Sequence, residues 1–110
     1  PAGELKHGTI SLITEKTPVI ALFGERAMRE KMLANLKEVA ARGAKTIAVC
    51  PSSDAVASVA DVLIDLADEE SLFVPIVEAT LMQLLAYHTA ALRGCDIDQP
   101  RNLAKSVTVE

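Results

Sequence analysis

Val19-Ile20-Ala21-Leu22-Phe23-Gly24 is a continuous apolar run closed by a glycine, and the turn Thr14-Glu15-Lys16-Thr17-Pro18 stands in front of it. An apolar run without polar alternation predicts a strand buried on both faces. The period then changes. From Glu25 to Arg42, Met28, Met32, Leu36 and Val39 recur at i, i+4, i+8 and i+11, joined by Leu33 and Ala40. That single stripe predicts a helix. Glu25/Arg29 and Glu38/Arg42 are spaced as i,i+4 ion pairs on its solvated side, and Gly43 stands where a C′ residue belongs. Lys45-Thr46-Ile47-Ala48-Val49-Cys50 is a second buried strand, ended by Pro51. Ser52-Ser53-Asp54 offers N-cap chemistry for a short helical turn over Ala55 to Val59. Asp61 to Leu66 is a third, shorter strand. Strand, helix, strand, turn, strand is the order of an α/β parallel sheet.

Working outward, Ala67-Asp68-Glu69-Glu70-Ser71 is an acidic loop whose charges are expected to be solvated surface. Pro75 suits the first turn of a helix. That helix runs to about Arg93, is apolar nearly all round, and is stopped by Gly94. A helix of this kind needs covering on more than one side, so His88 within it reads as a satisfied core residue, and Glu78 and Gln83 as interface or capping groups. At the other end, Gly3 to Ile13 carries Leu5, Ile10, Leu12 and Ile13 and predicts a short helix or irregular helical turn interrupted by Gly8. Three parallel strands seldom stand alone, because an open inner edge leaves main-chain groups unpaired. Further strands are therefore expected upstream.

The chain has 110 residues, half of them hydrophobic, with two Phe, one Tyr and no Trp. Such a core is aliphatic, as helices covering a parallel sheet require. The net charge of −4, with no basic cluster, argues against nucleic acid and against an anionic membrane surface. A small anionic substrate stays open, since a few local N–H groups bind an anion regardless of net charge. Cys50 and Cys95 are too few and too far apart for a disulfide framework or a metal site, which suits a reduced compartment. No signal peptide opens the chain, and no apolar run reaches the ~18 residues of a membrane span. The first residue is Pro rather than Met, which suits a piece of a longer protein. A cytoplasmic location is expected.

The tail Asp98-Gln99-Pro100-Arg101-Asn102-Leu103-Ala104-Lys105-Ser106-Val107-Thr108-Val109-Glu110 has no periodicity, yet it carries Leu103, Ala104, Val107 and Val109. Tails are usually frayed and polar; this one is built to lie against something, and it delivers one amine. This stretch resembles the C-terminus of the glutamine–fructose-6-phosphate aminotransferases, also called glucosamine-6-phosphate synthases. Pro1-Ala2-Gly3-Glu4-Leu5-Lys6-His7-Gly8 resembles a second recurrent motif of that family, and Leu84-Leu85-Ala86-Tyr87-His88 is similar in kind. The likeness spans the whole chain.

The resemblance implies the later part of a SIS (sugar isomerase) domain: an αβα sandwich with a flavodoxin-like parallel sheet, incomplete here. It implies a partial SIS domain over residues 1–94 and a tail over 95–110 carrying the active-site lysine. Taken alone, Lys105 is ordinarily a solvated charge; the resemblance makes it the residue that forms an imine with C2 of open-chain fructose 6-phosphate. Such a nucleophile must be neutral, which requires desolvation or nearby positive charge to lower a pKa of ~10.4. Arg101 and Lys6 are candidates for that charge. His7 alone is ordinarily a surface or helix-end histidine; the resemblance makes it the acid–base group that opens the sugar ring. Glu4, three residues before it, either orients His7 or is a plain exposed carboxylate. The resemblance places Glu4 and Ala104 among the substrate contacts, and it implies a homodimer formed through SIS domains. No metal or organic cofactor is implied.

The chain shows no glycine-rich phosphate loop and no Ser/Thr run resembling the family's sugar-phosphate cradle. The resemblance implies that this cradle, the proton-shuttling glutamate and the glutaminase domain lie outside these residues, so the chain alone is expected to be inactive. Thr9 departs from the proline expected after the His-Gly pair, which leaves that turn's geometry open. The expected function is that of part of the enzyme making glucosamine 6-phosphate from fructose 6-phosphate and glutamine-derived ammonia, in amino-sugar biosynthesis. Two rivals are a sugar-phosphate-binding regulatory SIS module and a plain dimerisation module. Neither needs an imine-forming lysine, so the tail favours the enzyme.

Overall fold

Aliphatic and β-branched residues set three strands side by side in the computed structural model of the protein, which describes residues 2–67 and 72–99. They are β1 (Pro18–Leu22), β2 (Lys45–Cys50) and β3 (Val62–Asp65), joined through α1 (Arg29–Ala40) and α2 (Asp54–Ala57) and followed by α3 (Val74–Leu92). Both pairings are parallel, in the order β1-β2-β3, with Pro18 opposite Lys45 and Leu22 opposite Val49, and with Ile47 opposite Val62 and Cys50 opposite Asp65. This is the α/β parallel sheet expected from the order of elements. The chain divides into two compact units, Pro1–Glu78 and Ala79–Glu110.

In the first unit the core gathers on the central strand. Ala48, Val49 and Cys50 of β2 are buried, as are Leu36 and Val39 of the α1 stripe, Phe23 after β1 and Val56 of α2. The helix begins later than the stripe suggests. Arg26–Met28 is a 3₁₀ turn and Glu25 is extended, so Glu25 and Arg29 are not a helical pair. Arg29 instead donates from Nε to the Phe23 carbonyl at 3.1 Å. The second expected pair is also replaced: Arg42 Nη1 donates to the Glu38 main-chain carbonyl at 2.9 Å. The end of α1 follows its sequence signal. Gly43 takes φ 82°, its N–H reaches the Ala40 carbonyl at 2.8 Å, and the Ala44 N–H reaches Val39 at 3.3 Å. These are the two hydrogen bonds of a Schellman motif, whose C′ residue must be left-handed.

β1 departs from expectation. Only Ala21 within it is buried, and Ile20 is 39% exposed, because β1 is an edge strand among the described residues. Ser53 occupies the N-cap of α2 with extended backbone but makes no side-chain cap hydrogen bond, and the helix runs one to two residues earlier than its sequence suggests. The start of the chain forms two 3₁₀ helices, Ala2–His7 and Thr9–Leu12, split at Gly8.

In the second unit the remainder of α3 ends at Gly94 (φ 66°) with the same motif: Gly94 N–H to Ala91 at 3.0 Å and Cys95 N–H to Ala90 at 2.9 Å. α3 has no buried residue among those described, so the cover its composition demands is not supplied there. His88 is accordingly exposed rather than core, and its ring meets that of Tyr87 edge-on at 5.2 Å and 85°. No helix among the described residues is long and apolar enough to cross a membrane.

Candidate active-site elements

His7 sits at the end of the 3₁₀ helix Ala2–His7, exposed, with Glu4 exposed on the same element. In a 3₁₀ helix, residues three apart eclipse one another, so Glu4 and His7 share an edge. No hydrogen bond joins the two among the described residues. The helix buries no residue completely, and two of its side chains reach the body of the first unit. Leu5 packs against the core, and Lys6 Nζ lies 2.6 Å from Glu38 Oε1 on α1. After His7, Thr9 Oγ1 donates to the Leu5 carbonyl at 3.5 Å and Ser11 Oγ to the Gly8 carbonyl at 2.7 Å. Thr9 thus bridges back across the Gly8 turn.

Beside this helix, a cleft of about 680 Å³ opens at the carboxyl end of β1. Lys6, Gly24, Lys31, Asn35 and Glu78 contribute to its lining. Its size suits a small molecule, and the carboxyl ends of parallel strands are where open α/β sheets bind ligands. His7 does not line it. Gly24 forms part of its lining, and a Cβ there would stand 2.7 Å from both Glu78 Oε1 and Val74 Cγ1, so a larger residue requires those side chains to shift. Glu78 is therefore a packing neighbour of Gly24 rather than a capping group. Its Oε1 is buried without a hydrogen-bond partner. Burial pushes the carboxyl pKa up, and the nearby Gly24 main chain only partly offsets that.

Cys50 is buried and its thiol is pushed up by desolvation, so it stays protonated and unreactive; Cys95 is exposed. No cluster of three metal-ligating side chains occurs among the described residues. Of the residues expected to act, the structure positions His7 and Glu4. Lys105, Ala104 and Arg101 lie outside the described residues, as does the loop 68–71. Sequence reasoning missed the partnership of Glu38 with Lys6, since nothing local links a motif residue to a helix thirty-two positions away. It also missed the close approach at Gly24, for which the one available signal was a glycine directly after a buried strand.

Comparison with known proteins bears on what these elements belong to. The family model described as SIS domain matches residues 1–93. The chain is 50% identical over 110 residues to glutamine–fructose-6-phosphate aminotransferase [isomerizing] of Methanosarcina acetivorans, covering 99% of this chain and 18% of that protein. Similarity to the protein of the same name from Thermus thermophilus is also 50%, over 111 residues and the whole of this chain. The chain spans less than a fifth of the length of these curated relatives. Among solved structures, the C-terminal domain of glucosamine-fructose-6-phosphate aminotransferase from Francisella tularensis superposes with a TM-score of 0.78 at 36% identity, covering 91% of this chain and 29% of that one.

Proposed function

Because the chain belongs to the SIS domain family, we propose that it is the C-terminal portion of the isomerase part of a glutamine–fructose-6-phosphate aminotransferase. The observation that carries this reading is the 50% identity sustained along essentially the whole chain to relatives of that name. The parent enzyme converts fructose 6-phosphate and glutamine-derived ammonia to glucosamine 6-phosphate, as a homodimer joined through SIS domains and working in the cytoplasm.

In this reading His7 opens the cyclic hemiketal by moving a proton between the anomeric hydroxyl and the ring oxygen, exposing the C2 carbonyl. Lys105, as the neutral amine, adds to C2; loss of water leaves an imine. Ammonia then displaces the lysine amine, and the resulting imine becomes the amino sugar by proton transfer from C1 to C2. The substrate's own carbonyl supplies the electron sink, so the chemistry calls for no metal or organic cofactor. Glu4 and the Ala104 region contact substrate, Glu4 from the same edge of its helix as His7.

The test is reductive trapping in the complete enzyme. Borohydride with fructose 6-phosphate and no glutamine should attach one sugar phosphate to the peptide containing Lys105. Lys105→Arg keeps the charge but stays protonated, so trapping and turnover should both be lost while the fold survives. A Lys105→Arg enzyme that aminates at near wild-type rate would reduce Lys105 to a charge on the tail.

A further inference from the structure

We propose that Glu38 is a positioning residue for His7, acting through the ammonium group of Lys6. This rests on the reading of His7 as the ring-opening group and adds to it a residue thirty-one positions away in the chain.

A general acid–base group contributes only when its donor atom is held against the proton it moves. His7 sits on a short 3₁₀ helix, and such helices have poorer hydrogen-bond geometry than α-helices and little rigidity of their own. Its orientation must therefore come from what the helix is fastened to. Leu5 supplies an apolar attachment, which resists removal from the core but is indifferent to rotation about its own contact. A second attachment is needed to fix the rotation, and the 2.6 Å contact between Lys6 Nζ and Glu38 Oε1 is placed to do that. Lys6 is the residue next to His7, so the tether acts one peptide unit from the imidazole. Glu38 lies on α1 between Leu36 and Val39, both fully buried, so its backbone is anchored to the core on either side. The tether joins a mobile kind of element to a fixed one.

The pair is only partly shielded: the Lys6 and Glu38 side chains are 60% and 35% exposed. An ion pair this open contributes little to stability. A role in geometry rather than in stability gives it a signature that a merely structural salt bridge lacks.

The experiment compares Glu38→Gln, Lys6→Gln, the double variant and the charge swap Lys6→Glu/Glu38→Lys in the complete enzyme, with His7→Ala in parallel. Each is assayed with cyclising fructose 6-phosphate and with an acyclic analogue that needs no ring opening. Glu38→Gln should lower kcat on the cyclic substrate about 10-fold, short of the ~10²-fold that a 1 Å misplacement of a reacting group costs. The acyclic substrate should be spared, and the thermal midpoint should move by no more than about 2 °C. The double variant should be no worse than either single one, and the swap should recover most of the loss. The proposal is overturned if Glu38→Gln matches wild type on the cyclic substrate, or loses equally on both substrates. If His7→Ala itself shows no preference for ring opening, the reading of His7 fails and the proposal falls with it. A selective His7→Ala beside an unselective Glu38→Gln sinks the proposal alone.

Discussion

Thr46 and Asp61 hold the starts of two neighbouring strands together. The Thr46 N–H donates to Asp61 Oδ2 at 2.7 Å, its hydroxyl donates to the same oxygen at 3.0 Å, and the Asp61 N–H returns a hydrogen bond to the Thr46 hydroxyl at 3.0 Å. Thr46 is 1% exposed, the one polar side chain buried in the core among the described residues. It tolerates that position because its hydroxyl both gives and accepts. The two Thr46 donors, its amide first, hold the Asp61 carboxyl pKa below its ordinary value, and Lys45 assists.

Thr46→Val keeps the shape and removes the hydroxyl, leaving the Asp61 N–H without its acceptor. A loss of about 0.5–1.5 kcal/mol is expected from urea unfolding, the usual net worth of a hydrogen bond made by the buried Thr46 hydroxyl. An unfolding midpoint equal to wild type would mean that water replaces the hydroxyl without penalty.

Asp61→Asn should show the linkage directly. The folded-state pKa of Asp61 lies below the unfolded one, so the stabilisation is present above the unfolded value of ~3.9 and is lost as pH falls through the folded one. Wild type should therefore melt above Asp61→Asn at pH 7, and the gap should close as pH falls below about 4. A gap that stays constant across that range would show that the carboxylate charge contributes nothing.

Gly24→Ala brings a methyl group to within 2.7 Å of Glu78 Oε1 and Val74 Cγ1. Something must shift, and overpacking of this kind typically costs about 1–3 kcal/mol. Reversing the choice, Glu78→Gln should relieve the burden of desolvating a carboxylate. Because the folded pKa of Glu78 is raised, the charge is a liability that grows as pH rises above the unfolded value of ~4.3. Glu78→Gln should therefore gain most over wild type near neutral pH and least near pH 4, measured by thermal melts across that range. A flat difference would assign the effect to packing alone.

His7→Ala in the complete enzyme should damage turnover of the cyclic substrate by ~10²–10⁴-fold, the usual contribution of a general acid–base group, and spare a substrate that cannot cyclise. Steady-state kinetics on the two substrates decides it. Equal losses would make His7 structural.

The chain by itself should neither aminate nor isomerise fructose 6-phosphate. The groups that would cradle the phosphate and move the proton are expected elsewhere in the parent enzyme, and positioning by these residues does not replace them. Appearance of glucose 6-phosphate from the purified 110-residue chain, in a coupled assay, would refute this.

Much of the fold was legible because its signals are local. Gly43 and Gly94 mark two helix ends through the left-handed conformation each must adopt, and the apolar run Ile47–Cys50 marks a buried strand. What the sequence did not disclose depends on partners far along the chain. Asp61 reads as the first residue of a strand, and only the fold brings its carboxylate to Thr46. Glu38 reads as the i,i+4 mate of Arg42, yet Arg42 turns to a main-chain carbonyl and Glu38 to Lys6. The apolar circumference of α3 predicts a covered helix with His88 in a core, but the described residues bury none of α3 and leave His88 exposed. For the candidate site, the i,i+3 spacing of Glu4 and His7 is legible in the sequence, whereas the 3₁₀ rather than α-helical form of their element is not. Lys105 and Ala104 lie beyond the described residues.

The run Pro18–Phe23 contains no charged side chain, and β1 offers its outer edge to no other described strand. Folded proteins guard such an edge with a lysine, a bulge or a covering loop; here the nearest charges, Lys16 and Glu25, stand outside the strand on either side. A bare edge of low charge and high β-propensity is also what one chain uses to template another. Among the described residues no strand pairs with this edge, so copies of the chain are expected to associate along it, and to a greater extent as concentration rises.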